Sequence, residues 1–387
     1  MTLQGQPRES AAQHAETDAG LNPDTPSPPA PRLRPRRIRL EATSVCQLRC
    51  PACPTASGAI RPALGTGHLR ASRFRQLIES DPGIMHIELS NYGELFLNPE
   101  LEEILECAFH RGVRLTADNG ANFNTVRLGT IEALVKFSLH RLTCSIDGAT
   151  PETYARYRVG GDLRSVLANI EELNRYKKQY ASPYPRLTWQ FVVFPHNRHE
   201  IDAARRLAAK LGMRFCEKLS WEAPEPGAAS RGTRDEYKAR YGVDYARGIC
   251  SQLWRTPQIN WDGRVLGCCR NFWGHFEGNA FDEGIEAVSN HERIRYARSM
   301  LVGERPARSD VPCSTCDLYL AMQENGRFIA PLEWELPAAV QGRLHRSGFG
   351  HRMVLTAVGA FFRVAEDVHW RFLTLTSRAR VRKSRAA

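Results

Sequence analysis

The sequence predicts an α/β protein: a parallel sheet with helical crossovers, then a small cysteine-rich domain with a β-hairpin, then a C-terminal helical segment. Three observations predict it. Short β-rich runs alternate with longer helix-periodic stretches between Arg37 and Leu219, most of the 11 cysteines fall into two groups, and an apolar stripe at helical spacing lies near the end of the chain. Neighbouring parallel strands need a crossover long enough to hold a helix, so six successive βα steps read as a parallel sheet covered by helices. Periodicity alone leaves an open sheet and a barrel as alternatives.

The strand runs are Arg37–Thr43, Met85–Ser90, Val113–Ala117, Arg141–Ile146, Leu187–Phe194 and Met213–Leu219. Helical candidates lie near Arg70–Glu79, Pro99–Arg111, Val126–Ser138, Leu163–Gln179 and His199–Leu211. Asn98-Pro99 sets a capping residue before a first-turn proline, and Gly112 and Gly212 lie just past helix ends. Residues 1–36, rich in Pro, Ala, Ser and Asp, read as a disordered tail whose end, Pro31 to Arg37, is a solvated lead-in able to touch acidic partners. A Pro- and Gly-rich boundary at Ala223–Gly232 closes the βα core, placed at 37–225. The cysteine-rich domain is placed at 245–326 and a basic amphipathic extension at 327–387.

At 387 residues the chain accommodates about two domains. Hydrophobic residues at 42% and charged residues at 25% are those of an ordinary soluble domain, and no apolar run reaches the roughly 20 residues that span a bilayer. The net charge of +11 resides mostly at the ends, +6 in 331–387 and +2 in 1–39, so the +3 left for the middle gives a nucleic-acid groove little support. The start carries no apolar signal segment, and cysteines of this kind need a reducing compartment, so a cytoplasmic location is expected.

Cys46, Cys50 and Cys53 are spaced Cys-x3-Cys-x2-Cys on the loop leaving the first strand. Three thiolates hold three corners of an iron–sulfur cube and leave one iron open, where a protein-only cluster site uses four. An open iron binds a small molecule and passes it an electron, so the spacing suggests catalysis over structure. Structural zinc is the alternative; it needs four ligands, and the nearest downstream histidine is His68. A disulfide framework belongs to small secreted domains and does not suit this chain.

The segment from Glu41 to Cys53, Glu-Ala-Thr-Ser-Val-Cys-Gln-Leu-Arg-Cys-Pro-Ala-Cys, resembles the signature of the radical S-adenosylmethionine enzymes. That resemblance implies a partial (βα)6 TIM-like barrel and a [4Fe–4S] cluster at its mouth. It also implies that S-adenosylmethionine chelates the open iron, and that its reductive cleavage gives a 5′-deoxyadenosyl radical. It implies a reductant such as flavodoxin or ferredoxin. Strand two runs into Ser90-Asn91-Tyr92-Gly93-Glu94, similar to the family turn whose carboxylate receives the methionine ammonium, here Glu94; Tyr92 stands where the family has its first Gly. A plain strand-to-loop turn with a solvated Glu is the alternative. Strand four ends in Ser145-Ile146-Asp147-Gly148, similar to the family segment whose Ser contacts the cofactor, with Asp147 able to orient the next loop. Asn119 in Asp118-Asn119-Gly120 is a further cofactor candidate, though turn chemistry also explains it. Arg158, in the loop-like stretch Tyr154–Asp162, suits the methionine carboxylate through its planar fork; a solvent salt bridge is equally open. Ala52 occupies a position often aromatic in the family, which leaves adenine to backbone and apolar contacts.

The second group is Cys250, then Gly263 followed by Cys268 and Cys269, then Cys313-Ser314-Thr315-Cys316, with a hairpin supplied by the Asp-Gly turn in Asn260–Leu266. Four such cysteines alone are equally a zinc-ribbon signal. In this context they resemble the SPASM domain, which implies one auxiliary [4Fe–4S] cluster on Cys250, Cys268, Cys313 and Cys316, with Cys269 as the alternative to Cys268. Cys107, Cys144 and Cys216 read as small buried hydrophobes. The C-terminal stripe, Val354, Val358, Phe361, Ala365, Val368, Phe372 and Leu375, is accompanied by Arg363, Arg371, Arg378, Arg380, Arg382 and Lys383. Docking on the protein's own surface, peripheral contact with an anionic membrane, and dimerisation all fit it.

The function this implies is hydrogen abstraction from an unactivated carbon, for oxidation or other modification of a substrate. The N-terminal tail shows no evident peptide-recognition domain, which points to a small polar substrate, sugar- or aminocyclitol-like. A peptide-modifying maturase is the alternative within the class, and an iron–sulfur electron carrier or redox sensor the alternative outside it.

Overall fold

The structure, a computed structural model, describes residues 32–219, 250–324, 326–336, 357–362 and 364. Most of the N-terminal tail, the Ala223–Gly232 boundary and, of the C-terminal stripe, all but Val358 and Phe361 lie outside the described residues.

Six parallel strands follow one another in chain order: β1 (Arg37–Leu40), β2 (His86–Glu88), β3 (Arg114–Ala121), β4 (Arg141–Ser145), β5 (Arg186–Val193) and β6 (Arg214–Leu219). A hairpin of β7 (Gln258–Ile259) and β8 (Val265–Gly267) extends the sheet beyond β1, giving the open order β6-β5-β4-β3-β2-β1-β7-β8. This is the step order of a partial (βα)6 barrel. Helices Ala71–Ser80, Leu101–Arg111, Leu128–Lys136, Leu163–Gln179 and Ile201–Lys210 supply the crossovers. In Leu163–Gln179 the buried residues are Leu163, Val166, Ile170 and Leu173, one face at helical spacing. Asp162 caps this helix by accepting from the amides of Arg164 and Ser165.

Three features depart from the sequence reading. The stretch read as a loop after β4 begins as a helix, Pro151–Tyr157, started by Thr150, which accepts from the Thr153 amide, and by a first-turn proline. Strand β3 runs past Ala117 to Ala121, with a register break against β4 at Asp118, Asn119 and Gly120. The end of the assigned tail is docked: Leu33 exchanges two backbone hydrogen bonds with the Asn290 side chain at 2.8 and 2.7 Å, and Arg34 pairs with Glu286 at 3.2 Å.

The Asp-Gly hairpin forms where the pattern puts it, with Asn260 N donating to Arg264 O at 2.8 Å. It is no free-standing unit. β7 pairs in parallel with β1, Arg39 Nε donates to Gln258 Oε1 at 3.1 Å, and one apolar core runs from Ile38 through Trp189 to Val265, Tyr319 and Ile329. Near the C-terminus Val358 and Phe362 pack on Ala330 and Leu336, while Phe361 is 68% exposed. Among the described residues no helix is long and apolar enough to cross a membrane.

Candidate functional site

Parallel strands deliver their C-terminal ends to one rim, and the side chains singled out after β1, β2, β3 and β4 gather there. The cysteine loop leaves β1 through Glu41–Val45 and is tied at both sides. Glu94 N donates to Val45 O at 2.7 Å, and Arg49 N donates to Val159 O at 2.9 Å. Cys50 is buried, while Cys46 and Cys53 are half-buried. Burial pushes the Cys46 thiol up to about 12, against a lowering backbone hydrogen bond at Leu48, and the neighbouring Glu94, Cys53 and Cys50 charges push the same way as burial. Burial also pushes the Cys50 thiol up, against the nearby Arg158 charge, and a metal cluster is the kind of cation that offsets such a cost. Among the described residues no three His, Cys, Asp or Glu side chains converge as ligands of one metal ion.

Glu94 is 2% exposed. Its Oε2 accepts from the Asn122 amide at 2.6 Å, whereas its Oε1 is buried without a hydrogen-bond partner. Burial pushes this carboxyl up to about 7, against the hydrogen bonds from Asn122, Phe96 and Phe123. An orphaned carboxylate oxygen in such a place is costly unless a cationic donor reaches it. Asn122 links Glu94 to the thiols, because its Nδ2 lies 3.7 Å from Cys46 Sγ and 3.2 Å from Gln47 Oε1. The sequence reading passed over Asn122; its signal is the amide-rich run Asn119 to Asn124 at the end of β3.

The turn that presents Glu94 is built by backbone contacts. A Cβ on Gly93 would stand 1.9 Å from Thr43 O, so only glycine fits there. Glu41, 1% exposed, accepts from Tyr92 N at 3.1 Å and Gly93 N at 3.3 Å. Tyr92, the departure from the family turn, donates its hydroxyl to Cys269 O at 2.6 Å and meets Phe272 edge-on at 6.1 Å. It thereby joins the barrel mouth to the cysteine-rich region.

Ser145, 5% exposed, accepts from Gln190 Nε2 at 3.2 Å and sits beside Gly120, whose φ of +115° and lack of a Cβ make room for it. The Oε1 of Gln190 is buried and unpartnered. Asn119 Nδ2 donates to Asn91 Oδ1 at 2.7 Å, and Asn91 Nδ2 donates to Cys269 O at 3.2 Å. Arg158 is held by Asp147, Nε to Oδ2 at 2.7 Å, and its Nη1 lies 3.9 Å from Cys50 Sγ.

The second cysteine group lines one pocket. Cys250, Cys268, Cys313 and Cys316 face it together with Trp273 and Tyr319. Cys313 sits on the short turn Pro312–Thr315, Cys316 N donates to Cys313 O at 3.1 Å, and the helix Asp317–Glu324 follows. A hydrogen bond with Cys250 and then burial push the Cys268 thiol well above its ordinary range. Burial, then Cys268 and Cys316, do the same for Cys313. Cys269 does not line this pocket: Gln252 Nε2 donates to its sulfur at 3.1 Å, and its own amide donates to Gln252 Oε1 at 2.6 Å. Of the other cysteines Cys144 is buried, while Cys107 and Cys216 are half-buried.

Residues 250–317 match the SPASM family, an iron–sulfur cluster-binding domain. A 180-residue stretch, 46% of the chain, is 29% identical to the AdoMet-dependent heme synthase of Methanosarcina barkeri, and the chain spans about half that relative's length, 48%. The fold is similar to the crystal structure of Streptococcus suis SuiB bound to S-adenosylmethionine, with a TM-score of 0.54 and 13% identity over 74% of this chain and 71% of SuiB. It is also similar to SuiB bound to the precursor peptide SuiA, with a TM-score of 0.51 and 11% identity over 74% and 70% of the two chains.

Proposed function

We propose that this chain is a radical S-adenosylmethionine enzyme, with an iron–sulfur domain of the SPASM type at 250–317, that abstracts hydrogen from an unactivated carbon of a small polar substrate. Its cofactors are [4Fe–4S] clusters and S-adenosylmethionine. When bound, they supply a one-electron cleavage of the cofactor that yields a hydrogen-abstracting radical. The observation that carries the reading is the buried, unpartnered Oε1 of Glu94, linked through Asn122 to the thiol of Cys46.

On this reading Cys46, Cys50 and Cys53 hold the first cluster. Glu94 receives the cofactor's ammonium, and Ser145 and Asn119 line the same mouth. Cys250, Cys268, Cys313 and Cys316 hold the auxiliary cluster, with Cys269 left to Gln252. A one-electron donor of the flavodoxin or ferredoxin class is the expected partner. Amides at the mouth, Asn91, Asn119 and Gln190, suit a substrate bearing hydroxyl or amino groups. A peptide substrate is the second reading, favoured by the peptide-bound SuiB of like fold.

Anaerobic reconstitution followed by metal analysis and a 5′-deoxyadenosine assay tests the reading; stoichiometric zinc with no iron uptake ends it. A finer test is Glu94→Gln, which keeps shape and removes charge. Charge-assisted hydrogen bonds contribute about 1.5–3 kcal/mol, so affinity for S-adenosylmethionine is expected to fall about ten- to a hundredfold with the clusters retained. The ionised carboxylate is the form that holds an ammonium, and its pKa of about 7 lies above the ordinary 4.5. Affinity in the parent is therefore expected to rise with pH through about 7, and this dependence is lost in the variant. Isothermal titration at pH 6 and pH 8 checks both points; equal affinities for parent and variant refute the assignment of Glu94.

A further inference from the structure

Arg158, a candidate for the cofactor's carboxylate, forms a buried ion pair with Asp147. Asp147 is fully buried, and the Arg158 side chain is 14% exposed. Asp147 is itself held from three directions: Oδ1 accepts from Val192 N at 2.7 Å, Oδ2 from Arg158 Nε at 2.7 Å, and its carbonyl from Asn197 Nδ2 at 3.0 Å. A buried pair of this kind contributes little net stability, because desolvation offsets most of the attraction. What it does is aim a guanidinium: Nη1 points at Cys50 Sγ from 3.9 Å, and the adjoining Val159 carbonyl accepts from Arg49 N at 2.9 Å. The segment after β4 thus grips the cysteine loop through one backbone bond and one N–H···S contact.

We propose that Arg158, aimed by Asp147, is a positioning residue of the first iron–sulfur site, donating to the Cys50 sulfur and raising the reduction potential of the cluster held there. This rests on the reading of Cys46, Cys50 and Cys53 as cluster ligands. Hydrogen bonds to cluster sulfurs and nearby positive charge both favour the reduced, more negative state. Reduction adds one negative charge to the cluster, and a donor fixed before the electron arrives stabilises that charge without rearrangement. Burial of the pair keeps water from screening the effect. The ion pair is close to neutral overall, but it is asymmetric: Nη1 of the guanidinium reaches the sulfur, while Asp147 accepts from Arg158 Nε with Oδ2 and from Val192 N of β5 with Oδ1.

The test is an EPR-monitored redox titration of the reconstituted holoenzyme, with dithionite and mediators and without S-adenosylmethionine. The signal lost in the Cys46→Ala, Cys50→Ala, Cys53→Ala variant identifies the first cluster. In Arg158→Met the ratio of reduced to oxidised cluster at the parent's midpoint is expected to fall about tenfold, a shift of about 59 mV for a one-electron couple. Arg158→Lys, which retains a donor and a charge, is expected to recover part of the shift. An unchanged potential in Arg158→Met at full iron content and parent thermal stability overturns the proposal. Should that variant lose iron, Asp147→Asn, which retains the guanidinium without its aim, is read instead: a lowered potential supports the proposal and a parent potential overturns it. A parent potential with weakened S-adenosylmethionine binding also overturns it, assigning Arg158 to the cofactor's carboxylate. Absence of any iron–sulfur signal in the parent is a different failure, that of the cluster reading itself.

Discussion

Replacing Cys46, Cys50 and Cys53 together by alanine is expected to lower the reconstituted chain from about eight iron and eight sulfide to about four of each, and to abolish 5′-deoxyadenosine formation. The effect is expected to be total because this loop supplies every ligand of the first cluster on this reading, and the nearby Cys144 thiol is fully buried in the core. The fold is expected to survive. Cys46 and Cys53 are only half-buried, and the loop is also held by the backbone bonds from Glu94 to Val45 and from Arg49 to Val159. Iron and sulfide analysis, circular dichroism and chromatographic detection of 5′-deoxyadenosine check the three parts. A variant that retains eight iron, or that still forms 5′-deoxyadenosine, removes this loop from the chemistry.

The second large effect is uncoupling. Replacing Cys313 and Cys316 by alanine takes away two of the four thiols that line the downstream pocket. If the auxiliary cluster accepts the electron left on the substrate, the variant is expected to form 5′-deoxyadenosine while substrate conversion collapses. The reason is a division of tasks: cleavage of the cofactor needs the barrel mouth, whereas net oxidation needs an acceptor of suitable potential nearby. Tyr92 ties the two regions through its hydroxyl bond to Cys269 O, so the variant's S-adenosylmethionine affinity is measured alongside product, as a control on the barrel mouth. Loss of a cluster can also unfold its domain, so thermal melting accompanies the assay. A folded double variant that converts substrate at the parent rate leaves the auxiliary cluster a structural part.

Much of this molecule is legible in local sequence. The six βα steps appear because apolar alternation and helical periodicity are properties of windows of ten or so residues, and the cysteine groups appear because ligand spacing within a loop is itself local. Asp-Gly at 262–263 announces the hairpin, and the structure forms it. The helix Pro151–Tyr157 was also open to reading, from Thr-Pro-Glu at its start, but the glycines that follow at 160–161 masked it.

What the sequence by itself determined is therefore the α/β class, the parallel order of the barrel strands and the two sets of thiols, each set by residues close together in the chain. What only the tertiary structure decided is which of these parts meet. The pairing of β7 with β1 makes the hairpin a continuation of the barrel sheet, across about 220 residues of chain. The bond from Tyr92 to Cys269 spans 177 positions, and that contact gives a purpose to a residue that looked like a flaw in the turn. Cys268 faces the pocket and Cys269 is held toward Gln252 in the turn that follows β8, and no spacing rule says which of the two joins the other cysteines. Arg158 binds Asp147 and comes within 3.9 Å of Cys50 Sγ, a residue 108 positions away. Such long-range contacts follow from the packing of the whole sheet, because only the closed fold brings these distant side chains within hydrogen-bonding range.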